Sequence, residues 1–346
     1  MKKYLIISLA GILAAGCITD NTPTTGQQAQ EYLKIWMDHW NTENGKSVKP
    51  TDLGVYILED IPGPANTATW SADHPYTTAS VTIRALSGTI QATSDANLAK
   101  QIGTYAEANY YGPKVFGTGS GVSYAGVDEA LKGMQLGGTR TVVIPAWLLT
   151  TSRYDTLDEY LENCTGTSHY IYTFSPVEQF DDSTEWEKQQ IQNYINANFP
   201  GQQSTMFPDL ETDDGTFWLI TDETGFSEEN KRSSTETSLS VNYTGRRLDG
   251  TIFDTSIEKV AIDNDVWSSA RTYSPETISY SETWSEIKVN SSTYIDGFIA
   301  ALSMMWWAGQ KATVIFTSTH GYGTSGSGDT IPGYCPLVFD LELVKL

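Results

Sequence analysis

Cysteine and histidine, which supply most disulfide frameworks and many metal sites, are scarce in this chain. Among 346 residues there are three cysteines and four histidines. The histidines are scattered at His39, His74, His169 and His320. Metal ligands usually recur at short spacings, and two isolated cysteines, Cys164 and Cys335, do not make a disulfide framework. We therefore expect no metal site, no cofactor and two buried free thiols.

Basic residues are also few, with 21 Lys and Arg against 42 Asp and Glu, for a net charge of −21. A protein that binds nucleic acid needs a basic face to neutralise phosphates, so nucleic acid is excluded as a partner. The sequence also lacks His-Glu-x-x-His, Cys-x-x-Cys, Gly-x-Ser-x-Gly and Walker-type phosphate-loop motifs. The chemistry that each of these motifs indicates is therefore not expected.

The N-terminus has the pattern of a secretory signal. Lys2 and Lys3 precede an apolar run over residues 4–15, which is too short to span a bilayer. The run ends in "LAAGC", which resembles the lipobox of bacterial lipoproteins. That resemblance implies a signal peptide over residues 1–16 and a lipid on Cys17. The polar residues 17–30 are then expected to form a tether from the membrane.

An internal repeat indicates two copies of one folding unit. "GVDEALKGMQLGGTRTVVI" begins at Gly126, and "GFIAALSMMWWAGQKATVI" begins 171 residues later at Gly297. "GVYILEDIPG" at Gly54 recurs in the same way as "GTFWLITDETG" at Gly215. The repeat predicts one domain over residues 31–178 and a second, with a linker helix, over residues 183–346.

Each unit has the pattern of an α+β fold. Leu239, Val241 and Tyr243 alternate with polar residues, as in a half-buried strand, and Asp249-Gly250 predicts a two-residue hairpin turn. Short helices are expected near residues 31–40, near residues 184–198 and after Gly297. The economical architecture is a curved, mostly antiparallel sheet packed on a short helix, present twice.

Three segments of the second unit carry a family resemblance. They are "VNYTGRRLDGTIFDTS" (241–256), "YIDGFIAALSMM" (294–305) and "HGYGTSGSGDTIPGYCPLVFDLELVKL" (320–346). In this order they resemble the FKBP family, whose members catalyse cis/trans isomerisation of prolyl peptide bonds. The resemblance implies two FKBP-like units, and a substrate pocket in the second.

The resemblance also implies which residues form that pocket. They are Tyr243, Phe253, Asp254, Ile295, Phe298, Tyr322, Ile331 and Phe339. By the family's pattern, the Ile295 N–H donates a hydrogen bond to the bound peptide and the Tyr322 hydroxyl contacts it. By the same pattern, Ile331 and Phe339 form apolar walls of the pocket. Taken without the motif order, the aromatic members of the set favour an ordinary core; the motif order favours a pocket lining.

Three departures from the family pattern concern the same region. Phe298 stands where the family usually has tryptophan, and Gly333 where many members have a second proline. A long insertion separates Asp254 from Tyr294 and contains Trp267, Tyr280 and Trp284. We expect the insertion to supply a wall or lid, and Arg271 within it is the candidate basic partner for Asp254.

The first unit lacks the pocket signals. "RALSG" replaces "YTG", which puts Arg84-Ala85 near the place of Tyr243, and Gln91-Ala92-Thr93 replaces the Phe-Asp pair. Val127 takes the place of Phe298 by the 171-residue offset. We therefore expect a degenerate FKBP-like domain that serves as a spacer, a dimerisation surface or a client-holding platform.

The sequence as a whole favours a folding factor anchored in the cell envelope, most simply at the outer membrane. Its expected partners are prolyl peptides or unfolded envelope proteins, and the membrane through Cys17. Two alternatives stay open: a non-catalytic FKBP-like peptide-binding or chaperone lipoprotein, and a surface lipoprotein that binds glycans through its 10 Trp and 19 Tyr.

Overall fold

A computed structural model describes residues 22–201, 216–221 and 223–345. The expected signal peptide and the lipidation site Cys17 lie outside these residues. Within them, the model contains no helix with the length and apolar character needed to cross a bilayer. Cys164 and Cys335 are both free; Cys164 is buried and Cys335 is partly buried.

The first unit is a six-stranded sheet with four helices. Its elements are α1 (Thr25–Asn44), β1 (Tyr56–Ile61), β2 (Tyr76–Ala85), β3 (Ile90–Thr93), α2 (Ala96–Ile102), β4 (Lys114–Gly117), α3 (Ala125–Leu131), β5 (Thr139–Ile144), α4 (Leu157–Glu162) and β6 (Tyr170–Phe180). The strands lie in the order β1-β5-β6-β2-β3, and β4 also pairs with β2. Every pairing is antiparallel.

The second unit is a seven-stranded antiparallel sheet. Its elements are α5 (Ser183–Asn198), β7 (Phe217–Thr221), β8 (Leu239–Arg247), β9 (Ile252–Thr255), α6 (Glu258–Asp263), β10 (Glu276–Ser279), β11 (Lys288–Val289), α7 (Asp296–Ser303), β12 (Lys311–Phe316) and β13 (Leu337–Lys345). The order is β11-β10-β8-β13-β12-β7, with β9 also on β8.

The two sheets share one topology. β1-β5-β6-β2 in the first corresponds strand for strand to β7-β12-β13-β8 in the second, and each unit adds a hairpin strand and a short helix. The expected fold class, α+β with two repeated antiparallel units, is confirmed. Each sheet is amphipathic, so its apolar inner face must be covered. Each repeated unit can fold as a unit because its sheet buries this face against its own short helix, α3 or α7.

The outer face of the second sheet is covered by the helix that joins the two units. Ile191 and Ile195 of α5 pack on Ile315 of β12 and Val338 of β13. This explains why β13 is buried on both faces near its start, whereas the alternation of its residues alone predicts one buried face.

Two local expectations need correction. Helix α1 begins at Thr25, so residues 25–30 of the expected tether are helical. The cause is a capping box, in which Thr24 accepts from the Gln27 N–H and the Gln27 side chain accepts from the Thr24 N–H.

The second correction concerns the hairpin turn, which is longer than the predicted two residues. Gly250 alone has positive φ, at 86°, and its N–H donates to the Arg247 carbonyl. The Asp249 carboxylate instead accepts the Thr251 N–H at 2.9 Å, a local bond that suits negative φ at Asp249. The turn therefore spans Leu248, Asp249 and Gly250, a three-residue loop with glycine in the left-handed position.

Candidate functional site

An aromatic pocket of about 480 Å³ opens on the inner face of the second sheet. It lies where β8, β9 and β13 meet the N-terminus of α7. Its lining consists of Tyr243, Phe253, Asp254, Thr293, Tyr294, Ile295, Phe298, Tyr322 and Phe339. The pocket is open to solvent, and six of its nine lining residues are aromatic.

Phe298 forms the floor of this pocket. Its ring centroid lies 5.4 Å from that of Tyr243 and 5.3 Å from that of Phe339, and both contacts are edge-on. Such geometry sets the positive edge of one ring against the negative face of another, and it is favourable beyond the burial of area. Phe298 is 1% exposed, so it belongs to the core and to the pocket at once.

A glycine makes this packing possible. Gly245 lies on β8 opposite Phe339, and a Cβ at this position would come within 2.7 Å of the Phe339 ring and 2.8 Å of the Phe253 ring. No side chain fits there without moving both rings. The glycine of the "YTG" motif is therefore a packing requirement of the aromatic walls.

A β-bulge lets two adjacent residues of β9 reach the same pocket. Successive strand residues normally point to opposite faces. Here Gly245 pairs with Asp254 and Arg246 pairs with Ile252, which leaves Phe253 unpaired. The bulge turns the strand locally, so that both Phe253 and Asp254 line the pocket.

Asp254 is held in a charged network at the pocket wall. One carboxylate oxygen accepts from Arg271, and the other accepts the Tyr243 hydroxyl at 2.8 Å. Arg271 also donates to the Tyr243 oxygen at 2.7 Å and lies 3.7 Å from the Glu276 carboxylate. The three side chains fix one another, which orients the Tyr243 ring against the floor.

The pKa values in the network follow from these contacts. Burial, and after it the charge of Asp254, raises the pKa of Tyr243 above its ordinary value. Burial opposes the charge on Arg271, but its hydrogen bonds to Asp254 and Tyr243 outweigh burial and raise its pKa. At neutral pH the pocket wall therefore carries a neutral phenol and a charged guanidinium.

The Ile295 N–H and the Tyr322 hydroxyl of the pocket lining have no protein partner in the part of the chain that the structure describes. The Ile295 N–H stands just before α7, whose first turn is capped by the Ile295 carbonyl. The Tyr322 side chain is 38% exposed, and its hydroxyl makes no hydrogen bond to the described residues. Burial, with the charge of Asp254, raises the pKa of Tyr322, so its hydroxyl stays protonated and able to donate.

Seven of the eight residues that the sequence selects line this one pocket. The eighth, Ile331, is not part of the lining; it is 3% exposed and belongs to the core cluster behind the lining. The sequence passed over Thr293 and Tyr294, although both lie in or beside a motif segment. Their positions before α7 depend on the turn geometry, which the sequence alone does not reveal.

The insertion between Asp254 and Tyr294 contributes a charged partner for Asp254 and no aromatic residue to the pocket lining. None of its singled-out aromatic residues is in the lining: Tyr280 is buried in the core, Trp284 packs against the core, and Trp267 is exposed. The insertion contributes Thr293 to the lining, and its Arg271 binds Asp254. The aromatic residues of the insertion therefore do not form the expected wall or lid.

The first unit has different residues at the matching positions. The shared strand register puts Val81 where the second unit has Tyr243. In keeping with this match, the Val81 N–H donates to the Ser94 hydroxyl oxygen and the Tyr243 N–H donates to the Ser256 hydroxyl oxygen. Arg84 instead matches Arg246, which corrects the expected place of Arg84-Ala85. Gln91 and Ala92 do occupy the places of Phe253 and Asp254.

Comparison with known proteins agrees with the second unit's motifs. Residues 229–344 match the family model of the FKBP-type peptidyl-prolyl cis-trans isomerases. The chain is 30% identical over 108 residues to FK506-binding protein 2 of Dictyostelium discoideum, covering 31% of this chain and 64% of that protein. It is 31% identical over 106 residues to the FKBP-type 22 kDa peptidyl-prolyl cis-trans isomerase of Escherichia coli, covering 31% and 39%.

Two solved structures are also similar. One is a peptidyl-prolyl cis-trans isomerase from Pseudomonas syringae, with a TM-score of 0.28, 25% identity, and coverage of 47% of this chain and 91% of that one. The other contains the three FKBP domains of wheat FKBP73, with a TM-score of 0.28, 14% identity, and coverage of 87% and 98%. The family match covers residues 229–344, which lie within the second unit, and the chain spans less than two thirds of the length of both curated relatives.

Proposed function

We propose that this protein is a peptidyl-prolyl cis/trans isomerase whose substrate binds in the aromatic pocket of the second unit. One observation carries the proposal: the pocket walled by Tyr243, Phe298 and Phe339 contains the Ile295 N–H and the Tyr322 hydroxyl, which make no hydrogen bond to the residues that the structure describes. An apolar recess with a few convergent polar groups is the usual form of a small-ligand site.

The reaction needs no nucleophile or general base. Resonance holds the prolyl bond planar, and rotation crosses a barrier of about 18–20 kcal/mol. The planar form has more charge separation than the twisted form, so moving the amide from water to an aromatic pocket favours the twisted form. A fixed donor that follows the substrate into that form lowers the barrier further.

The substrate's ring would lie on the floor formed by Phe298. Burying a proline ring there gains about 25 cal/mol for each Å² of apolar area removed from water. The Ile295 N–H would hold a peptide carbonyl, and the Tyr322 hydroxyl would hold the chain at the rim. Asp254 is fully engaged with Arg271 and Tyr243, so its role is to fix the wall.

A protease-free isomerisation assay of a prolyl tetrapeptide on the whole protein tests this proposal. Catalysis in the wild type, lost in a Phe253→Ala/Tyr322→Phe double variant, supports a site in the second unit. The matched control is Gln91→Ala, at the position of the first unit that corresponds to Phe253. Activity that survives the double variant would place the site elsewhere, and peptide binding without turnover would favour a non-catalytic chaperone.

We further propose, from the sequence alone, that Cys17 carries lipid and anchors the protein in the cell envelope, where unfolded envelope proteins are its substrates. The support is the apolar run and "LAAGC" at residues 13–17. Mass spectrometry of the mature N-terminus should show an acylated Cys17, and Cys17→Ala should release soluble or unprocessed protein. An unmodified N-terminus at another residue would contradict the proposal.

A further inference from the structure

The segment that carries the Tyr322 donor is long and has little regular structure. We call residues 317–336, between β12 and β13, the pocket loop. Within it, Gly326 donates to the Tyr322 carbonyl, and Ser327 and Ile331 exchange backbone hydrogen bonds. These local bonds fold the loop upon itself, but they do not attach it to the sheet. The position of Tyr322 therefore depends on what the loop contacts.

One contact comes from the other unit, through Arg247 at the end of β8. The Arg247 side chain is 4% exposed. Its guanidinium donates to the Thr330 carbonyl of the pocket loop at 2.7 Å and to the Ala108 carbonyl of the first unit at 2.8 Å. A third, longer bond reaches the Asn109 carbonyl at 3.4 Å. One buried cation thus ties the pocket loop to the segment between α2 and β4.

That first-unit segment also touches the pocket loop directly. The Tyr110 N–H donates to the Asp329 carbonyl at 2.8 Å, and the Tyr110 ring lies 5.4 Å from the Arg247 guanidinium carbon. Farther along the loop, the Tyr334 ring packs edge-on against Tyr76 of β2, with centroids 5.7 Å apart. The contacts with Tyr110 and Arg247, at Asp329 and Thr330, immediately precede Ile331, which is buried behind the pocket lining.

The start of the pocket loop is held by the linker helix. Glu187 of α5 is buried, and its carboxylate accepts the Ser318 N–H at 2.5 Å and the Ser318 hydroxyl at 2.7 Å. Ser318 lies four positions before Tyr322. Each end of the pocket loop is therefore held by a residue that lies outside residues 229–344, or that is itself bonded to a residue outside them. Residues 229–344 are the part of the chain that matches the family model.

We propose that the first unit is a positioning element for the isomerase site, acting through Arg247 on the pocket loop. The expected effect on catalysis rests on the proposed function, whereas the expected effect on the pocket loop does not. A guanidinium can bridge two carbonyls on different units because its donors form a planar fork, a geometry that an ammonium does not reproduce. The first unit thus has a task that needs no pocket of its own.

The test compares variants of the full chain by two measurements. Arg247→Met keeps the length of the side chain and removes its donors, Arg247→Lys keeps the charge, and Tyr110→Ala alters the first-unit side only. The matched control is Arg153→Met, which removes a guanidinium that binds the Gly119 and Ser123 carbonyls within the first unit. The measurements are KM and kcat for a prolyl tetrapeptide, and hydrogen exchange of the Gly326, Ser327 and Ile331 amides.

We expect Arg247→Met to raise KM about threefold to tenfold, the range for one lost hydrogen bond, with a smaller change in kcat. The pocket-loop amides should exchange faster while those of β13 do not. Arg247→Lys should fall between Met and wild type, and Tyr110→Ala should reproduce the faster exchange. Unchanged exchange and KM in Arg247→Met, or equal effects in Arg153→Met, would overturn the inference. An inactive wild type would count against the proposed function alone, because hydrogen exchange of the pocket-loop amides still tests whether the first unit positions the loop.

Discussion

Arg271 binds the carboxylate of Asp254 from seventeen residues farther along the chain, and so joins the insertion to the wall of the pocket. Tyr243 is the third member, bonded to both partners. Because the polar groups of Asp254, Arg271 and Tyr243 bond to one another, the Tyr243 ring can form an aromatic pocket wall with a polar network behind it. The insertion, a departure from the family pattern, thus supplies the cation that keeps the Tyr243 ring in place.

Removing that cation should damage the site more than the fold. Arg271→Met leaves the Asp254 carboxylate with the Tyr243 hydroxyl alone. We expect isomerase kcat/KM to fall and the free energy of unfolding to drop by about 1–3 kcal/mol, the cost of a hydrogen-bonded charge losing its partner. Kinetics and urea denaturation measure the two effects. The matched control is Lys259→Met, whose exposed pair with Asp263 in the same unit should matter little to either quantity.

Tyr322→Phe removes a single hydrogen-bond donor, the Tyr322 hydroxyl, from the pocket. Its hydroxyl has no bond to the described residues, so the variant should unfold at the wild-type urea midpoint. Peptide affinity should fall by about 0.5–1.5 kcal/mol, the net value of one hydrogen bond. Calorimetric titration with a prolyl peptide checks this. Tyr124→Phe, an exposed tyrosine of the first unit, serves as the control; wild-type affinity in Tyr322→Phe would remove that hydroxyl from the site.

Two phenylalanines of the pocket should respond differently to truncation. Phe339 is 4% exposed and touches the rings of Phe298 and Phe316, so Phe339→Ala should cost about 3–5 kcal/mol of folding stability. Phe253 is only partly buried, so Phe253→Ala should cost less stability but still weaken peptide binding. Equal losses of stability in the two variants would show that Phe253 is also a core residue.

Acid should destabilise the first unit through His169. Burial lowers the pKa of His169 from 6.5 to about 4, and its Nδ1 accepts the Ala146 N–H at 3.0 Å. The folded state therefore disfavours the proton. The stability that neutral His169 contributes is present above pH 6.5 and is lost as the pH falls towards 4, by about 3 kcal/mol.

The variant that tests this is His169→Gln, which should flatten the decline of stability between pH 6.5 and 4. His39→Gln, on the exposed face of α1, is the control and should follow the wild-type profile. Thermal unfolding followed at several pH values is sufficient. Parallel profiles for wild type and His169→Gln would assign the acid sensitivity to other groups.

The sequence by itself determined the repeat, the α+β class and most of the pocket residues. It could do so because these depend on local patterns: alternation in β8 and β13, the spacing between Gly126 and Gly297, and three motif segments in order. Most of the pocket residues lie in or beside the three motif segments, so the motifs alone identify most of the pocket lining. The charge balance likewise argues against nucleic acid as a partner without any coordinates, and this stays a prediction.

Only the tertiary structure decided the contacts between distant segments. The sequence named Arg271 only as a candidate partner of Asp254, because the pairing itself depends on the path of the insertion. Arg247 binds the carbonyls of Ala108, 139 residues away along the chain, and of Thr330, 83 residues away. The place of Val81 in the first unit follows from strand register, which cross-strand hydrogen bonds set and which a one-dimensional alignment by similar letters misassigned.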